Sequence, residues 1–119
     1  MPERTIVVQI KTSTPDLGRI EDLEFRHRLE KGLSAAVAPA GYYCDGGQSG
    51  SGTMEVFLNV QRHGADYAAA LAAVKSYLDE AKLFSRCAIG EICPDENRSV
   101  VLWPEAAKGR TFNSFRWNG

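Results

Sequence analysis

The sequence predicts an α+β fold, a ferredoxin-like split βαβ sandwich in which two helices pack on one face of a mainly antiparallel sheet. Two observations predict it. The periodic segments follow the order strand, helix, strand, strand, helix, strand, with one short strand added at the end. The two middle strands are joined by a short glycine-rich segment, as in a hairpin, and no linker divides the 119 residues into separate domains.

The first strand and the first helix are predicted from a change of period. Residues 4–10 alternate between apolar and mixed positions, which is the period of a half-buried strand. Thr14-Pro15-Asp16 then supplies an N-cap, a first-turn proline and an acidic first turn. A helix is therefore expected from about residue 15 to about residue 37, where Pro39-Ala40-Gly41 ends it.

The middle of the chain predicts a hairpin. A strand over residues 41–46 leads into CDGGQSGSGT, which is Cys44–Thr53, and residues 54–60 form the third strand. The glycine-rich stretch does not suit a phosphate loop, because no lysine follows it and the next element is a strand. Its glycines are expected to turn the chain or to form a bulge, so at least one should have a positive φ. The four candidates are Gly46, Gly47, Gly50 and Gly52.

The second half of the chain predicts one helix and two strands. Apolar residues recur there at helical intervals, namely Tyr67, Leu71, Val74, Leu78 and Ala81. Lys82 closes this helix, and residues 85–93 and 99–103 are expected to be strands separated by a turn.

The chain is expected to divide into a domain, residues 1–103, and an aromatic C-terminal tail, residues 104–119. The tail has neither the strand period nor the helix period, but it carries Phe112, Phe115 and Trp117. Because disordered tails are poor in aromatic residues, this tail is expected to dock on a surface, and the chain's own sheet is one candidate.

Charge and composition disfavour several classes of function. With 14 basic and 15 acidic residues the net charge is −1, so the field that attracts nucleic acid is missing. Thr53–Val60 also lacks the basic, aromatic octamer of an RNA-recognition strand. The apolar run Ile6-Val7-Val8 is too short for a signal peptide or a membrane span. We therefore expect a cytoplasmic protein that binds neither nucleic acid nor membrane.

No catalytic residue, metal site or cofactor is predicted. Cys44, Cys87 and Cys93 form no CxxC pair and have no histidine at ligand spacing, so they are interpreted as free thiols. His27 and His63 have no local nucleophile or carboxylate that would define a dyad or triad.

The sheet face opposite the helices is the predicted interaction surface. If Ile6, Val8 and Ile10 meet the helices, their neighbours along the strands face away. The predicted binding residues are Asp45, Gly47 and Gln48 in the hairpin, Gln9, Phe57 and Asn59 on this face, and Phe115 and Trp117 in the tail. Three occupants remain open for this face: a second copy packed sheet to sheet, the aromatic tail, or a small molecule held by polar contacts from Gln9, Asn59 and Cys44.

A longer stretch resembles a group of known sequences. FRHRLEKGLSAAVAPAGYYCDGGQSGSGTMEVFLNV, followed by an alanine-rich helix near Ala65-Asp66, resembles small uncharacterised bacterial proteins with a D-G-G-x-x-G-x-G hairpin. Some of those proteins are similar to toxin-immunity proteins. The resemblance covers about residues 20–80 and implies no reaction and no catalytic residues.

The sequence thus favours a non-catalytic cytoplasmic interaction module of immunity or regulatory type. Such a protein would bind another protein, or a second copy of itself, through the hairpin, the sheet face or the tail. The alternative is a small-ligand-binding protein or an enzyme that uses the open sheet face.

Overall fold

The computed structural model describes residues 4–11, 20–50, 53–62, 64–83, 86–93 and 98–112. They form a five-stranded antiparallel sheet and two α-helices, which confirms the predicted α+β class. The elements are β1 (Thr5–Lys11), α1 (Ile20–Val37), β2 (Tyr42–Gly50), β3 (Thr53–Val60), α2 (Tyr67–Glu80), β4 (Cys87–Cys93) and β5 (Arg98–Trp103). The strand order across the sheet is β2-β3-β1-β4-β5, so β2 and β5 are its edges.

The main core lies between the sheet and both helices. Alternate residues of β1 and β3 point into it and are fully buried, as the strand period predicted. Leu29, Leu33 and Val37 of α1 and Ala70, Val74 and Leu78 of α2 meet them from the helix side. Their spacing of four residues places each set on one face of its helix.

The ends of the helices follow from local chemistry. Helix α1 ends in a short 3₁₀ turn, Ala38–Ala40, and Gly41 follows with a φ of 87°. The Asp66 carboxylate caps α2 by accepting a hydrogen bond from the backbone N–H of Ala69 at 3.0 Å. Lys82 follows α2 with a φ of 60°, an unusual value for a residue with a side chain. The expected N-cap of α1 at Thr14-Pro15-Asp16 lies outside the described residues.

The predicted antiparallel pairing of the second and third strands is confirmed, but the expected end of the second strand at residue 46 is wrong. Strand β2 continues to Gly50 and β3 begins at Thr53, so Asp45, Gly47 and Gln48 are strand residues. Pairing with β3 overrides the poor strand propensity of glycine and serine. The expectation of a positive φ within this stretch is confirmed at Gly46, whose φ is 89°.

A β-bulge accommodates Gly46 in β2. Cys44 pairs with Leu58 and Gly47 pairs with Val56, so two residues of β2, Asp45 and Gly46, stand opposite one residue of β3. A bulge shifts the register by one residue and thereby exchanges the faces of the residues beyond it. As a result Gly47 faces the helices, and Gln48 pairs with Glu55 on the opposite face.

The chain beyond β5 folds back along that strand. A 3₁₀ turn, Glu105–Ala107, and Gly109 with a φ of 90° reverse its direction. Residues 109–112 then run beside β5, where Thr111 forms an antiparallel bridge with Val100. The first part of the predicted tail therefore lies against the chain's own sheet.

Candidate functional site

We use the name outer face for the side of the sheet opposite both helices, where Val7, Gln9, Glu55, Phe57 and Asn59 of β1 and β3 lie. Its centre is closed. Val7 and Phe57 are a cross-strand pair, and both are 0% exposed. They pack in a second apolar cluster with Ile92 and Phe112. The centre of this face is therefore a small core of its own, and not an open platform.

A polar row lies at one end of the outer face. The Asn59 amide donates from Nδ2 to Asp45 Oδ2 at 2.8 Å, and Asn59 Oδ1 accepts a hydrogen bond from the Thr5 hydroxyl. Asp45 is exposed, whereas Asn59 and Thr5 are half-buried. The row thus crosses β2, β3 and β1 and presents an oriented carboxylate to solvent beside the bulge.

The bulge explains where the carboxylate of this row sits. Gly46 adopts a backbone conformation that costs a residue with a side chain about 1–2 kcal/mol, so glycine keeps the bulge favourable. The pair Tyr43 and Asn59 precedes the bulge, and Asp45 follows on the bulged segment within reach of the Asn59 amide.

A second polar pair lies at the other end of the outer face. Gln9 and Glu55 stand opposite each other in β1 and β3, and Gln9 Nε2 donates to Glu55 Oε2 at 2.5 Å. Glu55 is 0% exposed. Because a buried carboxylate needs hydrogen-bond donors to offset the loss of hydration, this pair is part of the packed structure.

Gly47 has a structural reason to be glycine. A β-carbon there would lie 2.5 Å from the backbone oxygen of Glu55 and 2.8 Å from Glu30 Oε1 of α1. The helix and the neighbouring strand therefore approach β2 more closely than any side chain at this position would permit.

The structure brings some of the predicted binding residues together and separates others. Asp45 and Asn59 are hydrogen-bonded, and Gln9 lies on the same face beside Glu55. Phe57 is fully buried and Gly47 faces α1. Gln48 pairs with Glu55 through the backbone, and Phe115 and Trp117 lie outside the described residues.

A buried polar cluster on the helix side did not emerge from the sequence. Glu91 of β4 is 3% exposed and accepts a hydrogen bond from the Tyr67 hydroxyl at 2.8 Å. The Arg4 guanidinium lies 3.8 Å from Glu91 and 4.8 Å from the centre of the Tyr67 ring. One signal existed: Glu91 occupies a core-facing position, opposite Ile6, in an otherwise apolar strand.

The hydrogen bonds of this cluster hold neighbouring elements of the fold together. Burial and the neighbouring Glu91 raise the pKa of Tyr67, so its phenol stays protonated and continues to donate to the carboxylate. The Tyr42 hydroxyl also donates to the backbone oxygen of Arg4 at 3.0 Å. These bonds connect the start of β1 to β2, β4 and the first turn of α2.

The remaining reactive groups are dispersed. Cys44 and Cys87 are half-buried, Cys93 is buried, and none of the three forms a disulfide. Burial raises the pKa of Cys44 and raises that of Cys87 to about 11. His27 is exposed on α1, and His63 lies outside the described residues. In the described ranges, no three His, Cys, Asp or Glu side chains are grouped so that they could hold a metal ion.

Neither α1 nor α2, nor any other helix in the part of the chain described, is long and apolar enough to cross a membrane. Comparison of the chain with protein-family models gave no match, and comparisons with curated proteins and with solved structures gave none either.

Proposed function

We propose that this protein is a non-catalytic interaction module, cytoplasmic and of immunity or regulatory type, which binds another protein through the polar row Asp45, Asn59 and Thr5. The observation that carries the proposal is the oriented, exposed carboxylate of Asp45, held at 2.8 Å by Asn59 at the rim of a closed apolar centre. An acceptor fixed in this way loses little side-chain entropy when a partner's donor binds it.

We propose that the domain is a ferredoxin-like sandwich. The βαββαβ element order and the strand order β2-β3-β1-β4 support this assignment, and β5 is then an addition at one edge. Rigid strands on such a scaffold hold the polar row in place.

A protein partner suits this surface better than a small ligand. Small-molecule sites are concave and enclose most of the ligand, whereas Val7, Phe57 and Glu55 are packed at 0% exposure. At the end that carries Asp45 and Asn59, the outer face has polar groups beside a filled apolar centre. Polar groups at the rim of an interface supply recognition and faster association.

The test is capture of a partner by matched variants. Immobilised wild-type protein in a lysate of the source cells should retain one stoichiometric partner. Asp45→Asn keeps the shape and removes the charge, and should reduce retention at least tenfold, in line with the loss of a charge-assisted hydrogen bond. Asp79→Asn is the control, because Asp79 is an exposed carboxylate on α2, away from the outer face.

The outcome can contradict each part of the proposal separately. Equal retention by Asp45→Asn and wild type would exclude the polar row as the binding surface. The absence of any stoichiometric partner would contradict the interaction module itself. A partner encoded beside this chain and toxic when expressed alone would support the immunity type, whereas a partner whose activity the chain leaves unchanged would contradict it.

A further inference from the structure

The outer edge of β5 is occupied by the chain's own C-terminal residues. The backbone N–H of Val101 donates to Arg110 at 2.8 Å, Gly109 donates to Val101 at 2.9 Å, and Phe112 donates to Ser99 at 3.1 Å. The Ser99 hydroxyl adds a bond of 2.7 Å to the backbone oxygen of Phe112. Main-chain bonds of this kind hold any extended segment and are independent of its sequence.

A pocket for one aromatic ring supplies the selectivity. Phe112 is 3% exposed and packs with Val7, Phe57 and Ile92 on the outer face. The ring lies directly over Gly90, where a β-carbon would overlap it. Glycine at position 90 therefore creates the space that the ring fills.

We propose that the outer edge of β5 and the space over Gly90 form a binding groove for an extended, aromatic segment, and that residues 109–112 of a second copy of this chain can replace the chain's own. The result is exchange of a C-terminal strand between two copies. This groove lies at β5, the opposite edge of the sheet from β2, so the inference is independent of the polar row and its partner.

The connection between β5 and the segment favours exchange with a second copy. Residues 104–108 link the two, and only a short 3₁₀ turn, Glu105–Ala107, occupies this link. Fully extended, five residues span roughly 17 Å, enough to leave the groove without disturbing the strands. A second copy offers the same backbone bonds and the same ring, so exchange preserves every contact of the groove.

The experiment separates a donor from a receiver. In the donor, Gly90→Ala fills the pocket, which should release the segment. In the receiver, the double variant Gly109→Pro and Phe112→Ala removes the ring and the backbone N–H that binds Val101, because proline has no N–H. Proline also cannot adopt the φ of 90° found at Gly109, which disfavours the turn. Circular dichroism should show that both full-length variants remain folded.

Mixing should give a one-to-one complex of about twice 13.1 kDa by light scattering, while each variant alone stays monomeric. A synthetic peptide with the sequence of residues 108–119 should also bind the receiver, and the same peptide with Phe112→Ala should bind at least tenfold more weakly. If the receiver does not fold, the single variant Phe112→Ala takes its place.

Three outcomes would overturn the inference. A folded receiver that binds neither the donor nor the peptide would show that there is no exchangeable groove. Peptide binding that does not depend on the phenylalanine would exclude the pocket. Peptide binding without a complex between donor and receiver would exclude a second copy as the occupant.

Discussion

The two edges of the sheet solve one problem in different ways. An exposed edge strand offers unpaired backbone groups to any other strand, and natural proteins protect such edges. At β5 the chain folds back and pairs with the edge through residues 109–112. At β2 a bulge interrupts the edge, and the Ser34 hydroxyl of α1 accepts a hydrogen bond from the backbone N–H of Cys44 at 3.4 Å.

Glycine serves a different purpose at each edge. At β2, Gly46 supplies a positive φ and Gly47 permits close approach of Glu30 and Glu55. At β5, Gly90 makes room for the Phe112 ring. The β2 edge therefore depends on backbone conformation and on close backbone approach, whereas the β5 edge depends on side-chain packing. Substitutions should distinguish the two edges by the size of their effects.

The largest effect is expected at the β5 edge. Phe112→Ala should lower the free energy of unfolding by about 3 kcal/mol, because a nearly fully buried ring is lost and a cavity remains. Urea unfolding followed by circular dichroism measures this change. A loss below about 1 kcal/mol would show that the ring contributes little, and the packing account of this edge would fail.

The next effect is expected at the bulge. Gly47→Ala should cost about 2 kcal/mol, because its β-carbon would meet the immovable backbone oxygen of Glu55 at 2.5 Å. Gly46→Ala should cost about 1 kcal/mol, because no atom lies within 4 Å of its β-carbon and only the positive φ is strained. Unfolding in urea should rank the two variants, and the reverse order would contradict the steric reason given for Gly47.

A smaller effect, of opposite sign, measures what a positive φ costs a residue with a side chain, for comparison with Gly46. Lys82 carries a positive φ outside both edges, in a helix-ending motif where Leu83 donates to Leu78 and Lys82 donates to Asp79. Lys82→Gly should therefore raise the free energy of unfolding by about 0.5–1 kcal/mol. Thermal unfolding measures the gain, with Lys75→Gly, in the interior of α2, as a control that should lose stability.

The smallest effect concerns alkaline pH and the strand next to β5. Burial raises the pKa of Cys87 from 9.0 to about 11, so the thiol ionises more readily in the unfolded chain. Its contribution to stability is complete below pH 9 and is lost as the pH rises towards 11. Since the thiol is only half-buried, solvent screening reduces the loss to about 1 kcal/mol or less.

Urea unfolding between pH 8 and pH 11 should show this loss in the wild type and a smaller loss in Cys87→Ala. Identical pH profiles for the two proteins would mean that the Cys87 thiol is not the titrating group.

Periodicity, together with the signals that begin and end a helix, was enough for the α+β class, both helices and the two apolar faces of β1 and β3. The reason is physical: a residue on a strand or helix faces the core or solvent according to its position in the repeat. The same period placed Ile6, Val8 and Ile10 against the helices and Phe57 on the other face.

Only tertiary contacts decided the extent of β2, the bulge and the closed centre of the outer face. Glycine and serine have no strand preference of their own, so residues 47–50 extended the predicted strand because β3 pairs with them. Asp45 joined Asn59, and Phe112 came to lie over Gly90, because register and chain reversal brought together residues far apart in sequence. Contacts at such separations leave no local period, which is why the position of Asp45 beside Asn59 could be read only from the folded chain.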